Sequence, residues 1–241
     1  MTVILCHASD PAALWLGTSM RQLGLEVDVV TVEQLVFSRR IVFRMNDAGD
    51  SGSVELAGGR LLRPEAISGL INRVRYLPTQ HFERAQPRER AYAESELSAF
   101  VLGWINGVAG RVINPPLPFD LGGGTFPPAT LLQLAAMAGL PTGGWRASAD
   151  EAECGASLVA ATHAVIVFDG RVFGPLVPRA VQDGCRGLAS LLGTPLLQVE
   201  LQQTASEPWR FVSATGMADF RIGGRPLVKA LAQTLATREA A

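Results

Sequence analysis

The sequence predicts an α/β chain, with a βαβ-rich first half and an α+β second half. Three observations predict it. A β-rich run at residues 3–5 is followed by a helical pattern and then by a second strand at 26–30. A long helical stretch covers 87–109, and the segment HAVIVFDGRVFG at 163–174 reads as a hairpin of two β-rich runs joined at Asp169-Gly170.

The opening helix is announced by Ser9-Asp10-Pro11, an N-cap followed by a first-turn proline. Leu14, Leu16, Met20 and Leu23 roughly follow helical spacing, and Gly24 is the expected stop. A strand that returns directly after a helix points to a parallel βαβ unit. Residues 41–43 and 53–62 read as weaker strands, the second folding about Ala57-Gly58-Gly59. GLINRVRYL, residues 69–77, reads as a further strand. By alternation it would set Arg73 and Arg75 on one face.

The helix over 87–109 would turn Tyr92, Leu97, Phe100, Val101 and Trp104 inward. A strand at 111–114 ends at Pro115-Pro116, and a Gly/Pro-rich loop at 121–128 precedes a helix over 129–138. After a weakly patterned stretch at 143–162 come the hairpin, a helix over 179–192, strands at 196–201 and 209–214, and a closing helix over 226–237.

Composition narrows the function classes. The 241 residues suffice for one large domain or two small ones, and no apolar run approaches the ~20 residues that cross a bilayer. The N-terminus Met-Thr-Val-Ile-Leu-Cys-His lacks a secretory pattern, and Cys6, Cys154 and Cys185 have no pairing or metal spacing. Both fit a cytoplasmic protein with reduced thiols and no metal centre. A formal net charge of −1 without a basic block favours neither nucleic acid nor an acidic membrane. Only Lys229 among the 21 basic residues is lysine.

Several residues invite chemistry. Cys6 and His7 follow the first strand, where open α/β sheets place ligand sites. They read either as nucleophile and base or as a buried thiol beside a loop histidine. Arg73 and Arg75 read as anion or peptide binders, or as partners of Glu94 or Glu96. Leu121-Gly-Gly-Gly-Thr125 could cradle an anion but lacks the Gly-Lys-Ser/Thr ending of a phosphate loop, and so reads as a loop. His81 and His163 have no companions at metal-ligand spacing.

The order of landmarks resembles the ATP-grasp superfamily, in particular its ribosomal-S6-modification and graspetide-maturase branch. The residues that carry the resemblance are Asn72-Arg73-Val74-Arg75, Glu96-Leu97, Asn114-Pro115, Gln133-Leu134 with Gly139-Leu140, the hairpin at 165–173, Val199-Glu200-Leu201 and FVSATGMADF at 211–220. The resemblance implies a Rossmann-like pre-ATP-grasp domain over 1–114 and a truncated α+β ATP-grasp-like lobe over 115–241. It also implies ligand-binding roles for Arg73, Arg75, Glu96, Asn114 and Glu200.

Departures from the family pattern matter as much. The lysine before Gln-Leu is Thr130, and the arginine opening the core hairpin is Ala164. The Glu and Asn that hold magnesium are Ser213 and Thr215, which leaves Glu200 as the one acid. Residues 151–162 are too few for the phosphate-gripping lid.

The resulting expectation is an ATP-grasp-like protein that has lost ligase activity and needs no cofactor. It would act as a binding or accessory subunit for a peptide or small carboxylate in a biosynthetic pathway. The alternatives are a minimal ATP- and Mg-dependent carboxylate–amine ligase or another enzyme using the same cleft. A content of 48% hydrophobic residues, with only 18% charged, further suggests a homodimer or a complex with a pathway protein. The helix carrying Phe100, Val101, Trp104 and Ile105 is the expected interface.

Overall fold

The computed structural model describes all residues except 47–48, 118–119, 124–125, 144–160, 204–208 and 237–241, and the backbone alone at 45–46 and 49–51. The chain divides into two compact units, Met1–Gly123 with Lys229–Ala241, and Gly124–Val228.

The first unit is built on a parallel sheet of order β2-β1-β6-β7. Its strands are β1 (Thr2–Cys6), β2 (Val27–Thr31), β6 (Gly69–Asn72) and β7 (Arg111–Ile113). Val3, Ile4, Leu5 and Cys6 are all buried, the continuous apolar run expected of a strand covered on both faces. Helix α1 (Pro11–Gln22) starts as the sequence predicts: Asp10 accepts from the Ala12 and Ala13 amides, each at 3.1 Å. Its inner face is Ala12, Ala13, Leu16, Gly17 and Met20, whereas Leu14 is exposed. Helix α2 (Val32–Val36) opens on a capping box between Thr31 and Gln34.

A separate antiparallel sheet joins β3 (Arg40–Asn46), β4 (Gly49–Glu55) and β5 (Leu61–Leu62). Helix α3 (Pro87–Asn106) contributes Val101, Trp104 and Ile105 to a core shared with Leu5, Val30, Leu35, Val54 and Leu70. Two expectations fail on this helix. Tyr92 is 69% exposed rather than inward. Val101, Trp104 and Ile105 are completely buried, so the apolar stripe proposed as an interface is already spent on the unit's own core.

The strand expected over 69–77 stops at Asn72, and the reason is local. The Asn72 Oδ1 accepts from the Val74 amide at 3.2 Å, and its Nδ2 donates to the Asn114 carbonyl at 3.0 Å. A side chain that captures the backbone two residues on turns the chain out of the ladder. Arg73 and Arg75 therefore do not share a strand face.

The second unit carries an antiparallel sheet of order β11-β10-β8-β9. Its strands are β8 (His163–Phe168), β9 (Arg171–Phe173), β10 (Leu196–Gln203) and β11 (Trp209–Thr215). Asp169 and Gly170, at φ 46° and 71°, make the tight β8–β9 turn that the Asp-Gly pair predicts. Helices α4 (Pro128–Met137) and α5 (Arg179–Leu192) cover the sheet through Leu131, Ala135, Val181, Cys185 and Leu188. The predicted closing helix is present, preceded by a helical turn that a kink sets apart. Helix α6 (Phe220–Ala236) is interrupted at Gly224, whose φ of 54° and ψ of −157° are non-helical, and resumes at Pro226. Among the described residues no helix is long and apolar enough to cross a membrane.

Candidate functional site

Open parallel sheets bind ligands beyond the carboxyl ends of their strands. Here that end gathers Cys6 as the last residue of β1 with His7 after it, Glu33 after β2, Asn72 at the end of β6 with Arg73 after it, and Asn114 after β7. Most of these groups are engaged with one another.

Arg73 is 3% exposed and grips Asp10 at two points, Nε to Oδ2 at 2.7 Å and Nη2 to Oδ1 at 3.2 Å. Burial alone would push the Asp10 carboxyl up. The Arg73 hydrogen bond and charge, with the Ala12 and Ala13 amides, outweigh it and hold the carboxyl below its ordinary value. Neither Glu94 nor Glu96 is the partner that the sequence offered. Glu94 pairs with Arg90 at 2.8 Å along α3, and Glu96 lies exposed.

His7 is buried between two contacts. Its Nε2 accepts from the Arg75 amide at 3.2 Å, which places the proton on Nδ1, 3.3 Å from the Glu33 Oε1. The other Glu33 oxygen accepts from the Ala8 amide at 3.1 Å. Desolvation would raise Glu33, but hydrogen bonds from its own amide, Ala8 and His7 hold it low. Tyr76 stacks on the imidazole at 4.2 Å and 28° and is itself 57% exposed.

This arrangement does not support Cys6 and His7 as nucleophile and base. The Cys6 thiol is fully buried, and desolvation followed by the Asp10 charge pushes it up to about 12. A thiol so rarely ionised is a poor nucleophile, and the acceptor nitrogen of His7 is already occupied. Asn114 is buried, at φ 55°, with its carbonyl bonded to Asn72. Beside it, Gly123 at φ 64° packs so closely on the 114–115 backbone that a Cβ would meet the Pro115 oxygen at 2.1 Å. Of the glycine loop, the Gly122 and Gly123 amides are spent on Asp120, and 124–125 lie outside the described residues. What the sheet end presents outward is Arg75, whose side chain is exposed, and the Tyr76 ring. Asp10, Glu33 and Tyr76 were not singled out from sequence as site residues. The cap at Asp10 was read only as a helix start, and the Thr31–Gln34 capping pattern beside Glu33 is a local signal that the sequence reading missed.

The second unit brings three sequence-matched positions into one cross-strand row. Glu200 on β10 lies opposite Ala164 on β8 and Ser213 on β11, and Thr215 lies opposite Gln198 two residues along. The Glu200 Oε2 accepts from the Ser213 hydroxyl at 2.6 Å, and its Oε1 from the Gln198 amide nitrogen at 3.2 Å. The Gln198 Oε1 in turn accepts from the Asp219 amide at 2.8 Å.

Magnesium requires near-octahedral oxygens, usually one or two carboxylates with phosphates and water. The row offers a single carboxylate, each of whose oxygens accepts one hydrogen bond from a neutral donor. Among the described residues there is no group of three or more His, Cys, Asp or Glu that could hold a metal. The row thus supplies one carboxylate, the lower end of what a magnesium–nucleotide centre uses.

No protein-family model matches the sequence, and no curated protein matches it. Solved structures do match. Macrocyclase MdnB from Microcystis aeruginosa MRC is 12% identical with a TM-score of 0.68, over 97% of this chain and 98% of that one. A RiPP-associated ATP-grasp ligase from Chryseobacterium gregarium, in complex with ADP and a leader and core peptide, is 10% identical with a TM-score of 0.68, over 99% and 98%. The ATP-grasp ligase PsnB, complexed with minimal precursor, Mg and ADP, is 16% identical with a TM-score of 0.66, over 97% of both chains. Over nearly its whole length, this chain has the ATP-grasp fold.

Proposed function

We propose that this chain is a cytoplasmic pseudoenzyme of peptide modification, an ATP-grasp-fold protein that binds a peptide or small carboxylate and no longer ligates it. The observation that carries the reading is the row Ala164–Glu200–Ser213. An acyl-phosphate step needs cations on phosphate and carboxylates on magnesium to neutralise developing charge. In this row the resemblance puts an arginine where Ala164 stands and a magnesium-holding carboxylate where Ser213 stands, and the Ser213 hydroxyl donates to Glu200, the remaining acid.

The chain's only lysine, Lys229, lies in α6. Residues 143–162, all but three of them outside the described residues, are too short in this reading to form a phosphate-gripping lid. The lobes are taken as 1–114 and 115–241. Ligand capture falls to the outward groups at the parallel-sheet end, with Arg75 as the charge and Tyr76 as the stacking surface. Arg73 and Asn114 serve it indirectly as buried scaffold, Glu96 has no part in it, and Glu200 holds its own sheet. A homodimer or a pathway protein completes the assembly.

The second reading, a minimal ligase, draws on the complexes of the fold relatives, one with ADP and peptide and one with precursor, Mg and ADP. Titration calorimetry with MgATP separates the two. Charge-assisted contacts are worth about 1.5–3 kcal/mol each. Losing three weakens binding by several orders of magnitude, at about tenfold per 1.4 kcal/mol. The expected result is no saturable heat at millimolar MgATP. Micromolar binding, or ADP release with an acid and an amine, would establish the ligase instead.

A further inference from the structure

We propose that the outer face of the β3–β4–β5 sheet is a docking groove for an acidic, extended polypeptide segment. On β3 the side chains alternate. Phe43 turns toward α3, edge-on to Phe100 at 6.4 Å and close to Gly103. Arg40, Val42 and Arg44 line the opposite face with Arg63, Ser53 and Leu61, around a groove of about 470 Å³. The groove belongs to the first unit and is distinct from the parallel-sheet end.

Two features argue for an occupant of this chemistry. The first is charge without an internal partner. Nearby arginines are matched, Arg39 to Glu55 and Arg60 to Asp28. Arg40, Arg44 and Arg63, all exposed, have neither a hydrogen-bond nor an ion-pair partner among the described residues. Guanidinium groups suit carboxylates because their forked donors match two oxygens. The second is backbone. In the order β3-β4-β5, β3 is an edge strand, so one side of its main chain lacks a ladder partner among the described residues. An added strand would satisfy those groups, the general mode of peptide capture by sheet edges.

The lining also selects against a polyphosphate. Glu55 and Glu65 share the groove with the three arginines, and Val42 and Leu61 form apolar floor. A nucleic-acid backbone would meet those carboxylates unfavourably, whereas a peptide can alternate acidic and apolar side chains to match. Arginine on an edge strand can also serve only to block aggregation, and the test distinguishes that case.

The probe is a fluorescein-labelled peptide of alternating glutamate and valine, followed by anisotropy at low salt. Wild type binds it saturably, while the same peptide with lysine for glutamate does not bind. Arg40→Glu with Arg44→Glu and Arg63→Glu lowers affinity at least about tenfold, because each pair lost is a charge-assisted contact. The triple glutamine variant loses less, and both variants keep the wild-type melting temperature. Three outcomes overturn the proposal. They are equal binding by the glutamate variant, no binding by wild type, and tighter binding of oligothymidylate than of the acidic peptide. Aggregation of the charge-neutral variant without any wild-type peptide binding would assign these arginines to edge protection and also overturn it. The proposal is independent of the loss of ligase chemistry, so neither MgATP result bears on it.

Discussion

The first unit uses arginine in two opposite ways. At the end of the parallel sheet, Arg73 is buried and held at two points by Asp10. On the β3–β5 sheet, Arg40, Arg44 and Arg63 stand exposed around a groove with no partner among the described residues. The residue type is the same, and the sequence has almost no lysine to divide the labour. What separates the two is whether the chain itself brings a carboxylate within pairing distance, as Asp10 is for Arg73 while Glu55 and Glu65 in the groove are not for its three arginines. Where it does, the arginine is part of the scaffold. Where it does not, its charge is available to something else.

The largest effect comes from breaking the internal pair. Removing one member of a buried ion pair leaves the other charge desolvated and costs about 3–5 kcal/mol. Arg73→Met should therefore lower the melting temperature by roughly 10 °C, at 2–4 °C per kcal/mol for a chain of this size. Adding Asp10→Ser removes the stranded carboxylate while keeping a helix cap, and should recover part of the loss. A melting temperature unchanged by Arg73→Met would show that the pair contributes little and that the contrast with the groove is empty.

Acid should dissect the same network more gently. Asp10 and Glu33 are held below their ordinary values of 3.8 and 4.5. Groups depressed in the folded state bind fewer protons there than in the unfolded chain. Their stabilisation is thus fully present above those ordinary values and is lost as pH falls through the lower folded ones. Urea midpoints should be flat on their account from pH 7 to about 5 and should fall below about 4.5. The Arg73→Met, Asp10→Ser variant should show a shallower fall. An equally steep fall in that variant would place the acid sensitivity elsewhere.

Much of the fold was legible because its signals are local. Asp10-Pro11 marked the start of α1, Asp169-Gly170 the β8–β9 turn, and the helix expected over 179–192 matches α5. The row Ala164–Glu200–Ser213 was read as two departures from the resembled pattern and one retained acid, and the strand register places the three residues side by side. The site at the parallel-sheet end was not legible in the same way. The pairing of Asp10 with Arg73 spans 63 residues, and periodicity carries no information at that range. Strand β6 was drawn too long because Val74 and Tyr76 continue the alternation, while the signal that ends it sits in the Asn72 amide. That amide is fixed by carbonyls at 114 and 121. Val101 and Trp104 were correctly read on the inner face of α3. That Ile105 joins them in the core, so that the stripe is not left for an interface, depended on β4 and the strands they pack beneath.

The smallest effect on stability should come from Arg75, two residues beyond Arg73. Only its backbone is committed, through the amide that donates to the His7 Nε2. Its side chain is exposed and beside the Tyr76 ring in sequence, so truncating it leaves the buried network in place. Exposed substitutions of this kind usually stay within about 0.5 kcal/mol. Arg75→Ala should therefore melt like wild type where Arg73→Met does not. The proposed capture of a peptide or small carboxylate at the sheet end should nevertheless weaken by about tenfold, the loss of one charge-assisted contact. Calorimetry with a short carboxylate-terminated peptide, run beside the melting curves, reads both quantities on one preparation. A large stability loss would mean that the Arg75 side chain is scaffold like Arg73. Unchanged binding with unchanged stability would remove Arg75 from the proposed site and leave Tyr76 as its remaining outward group.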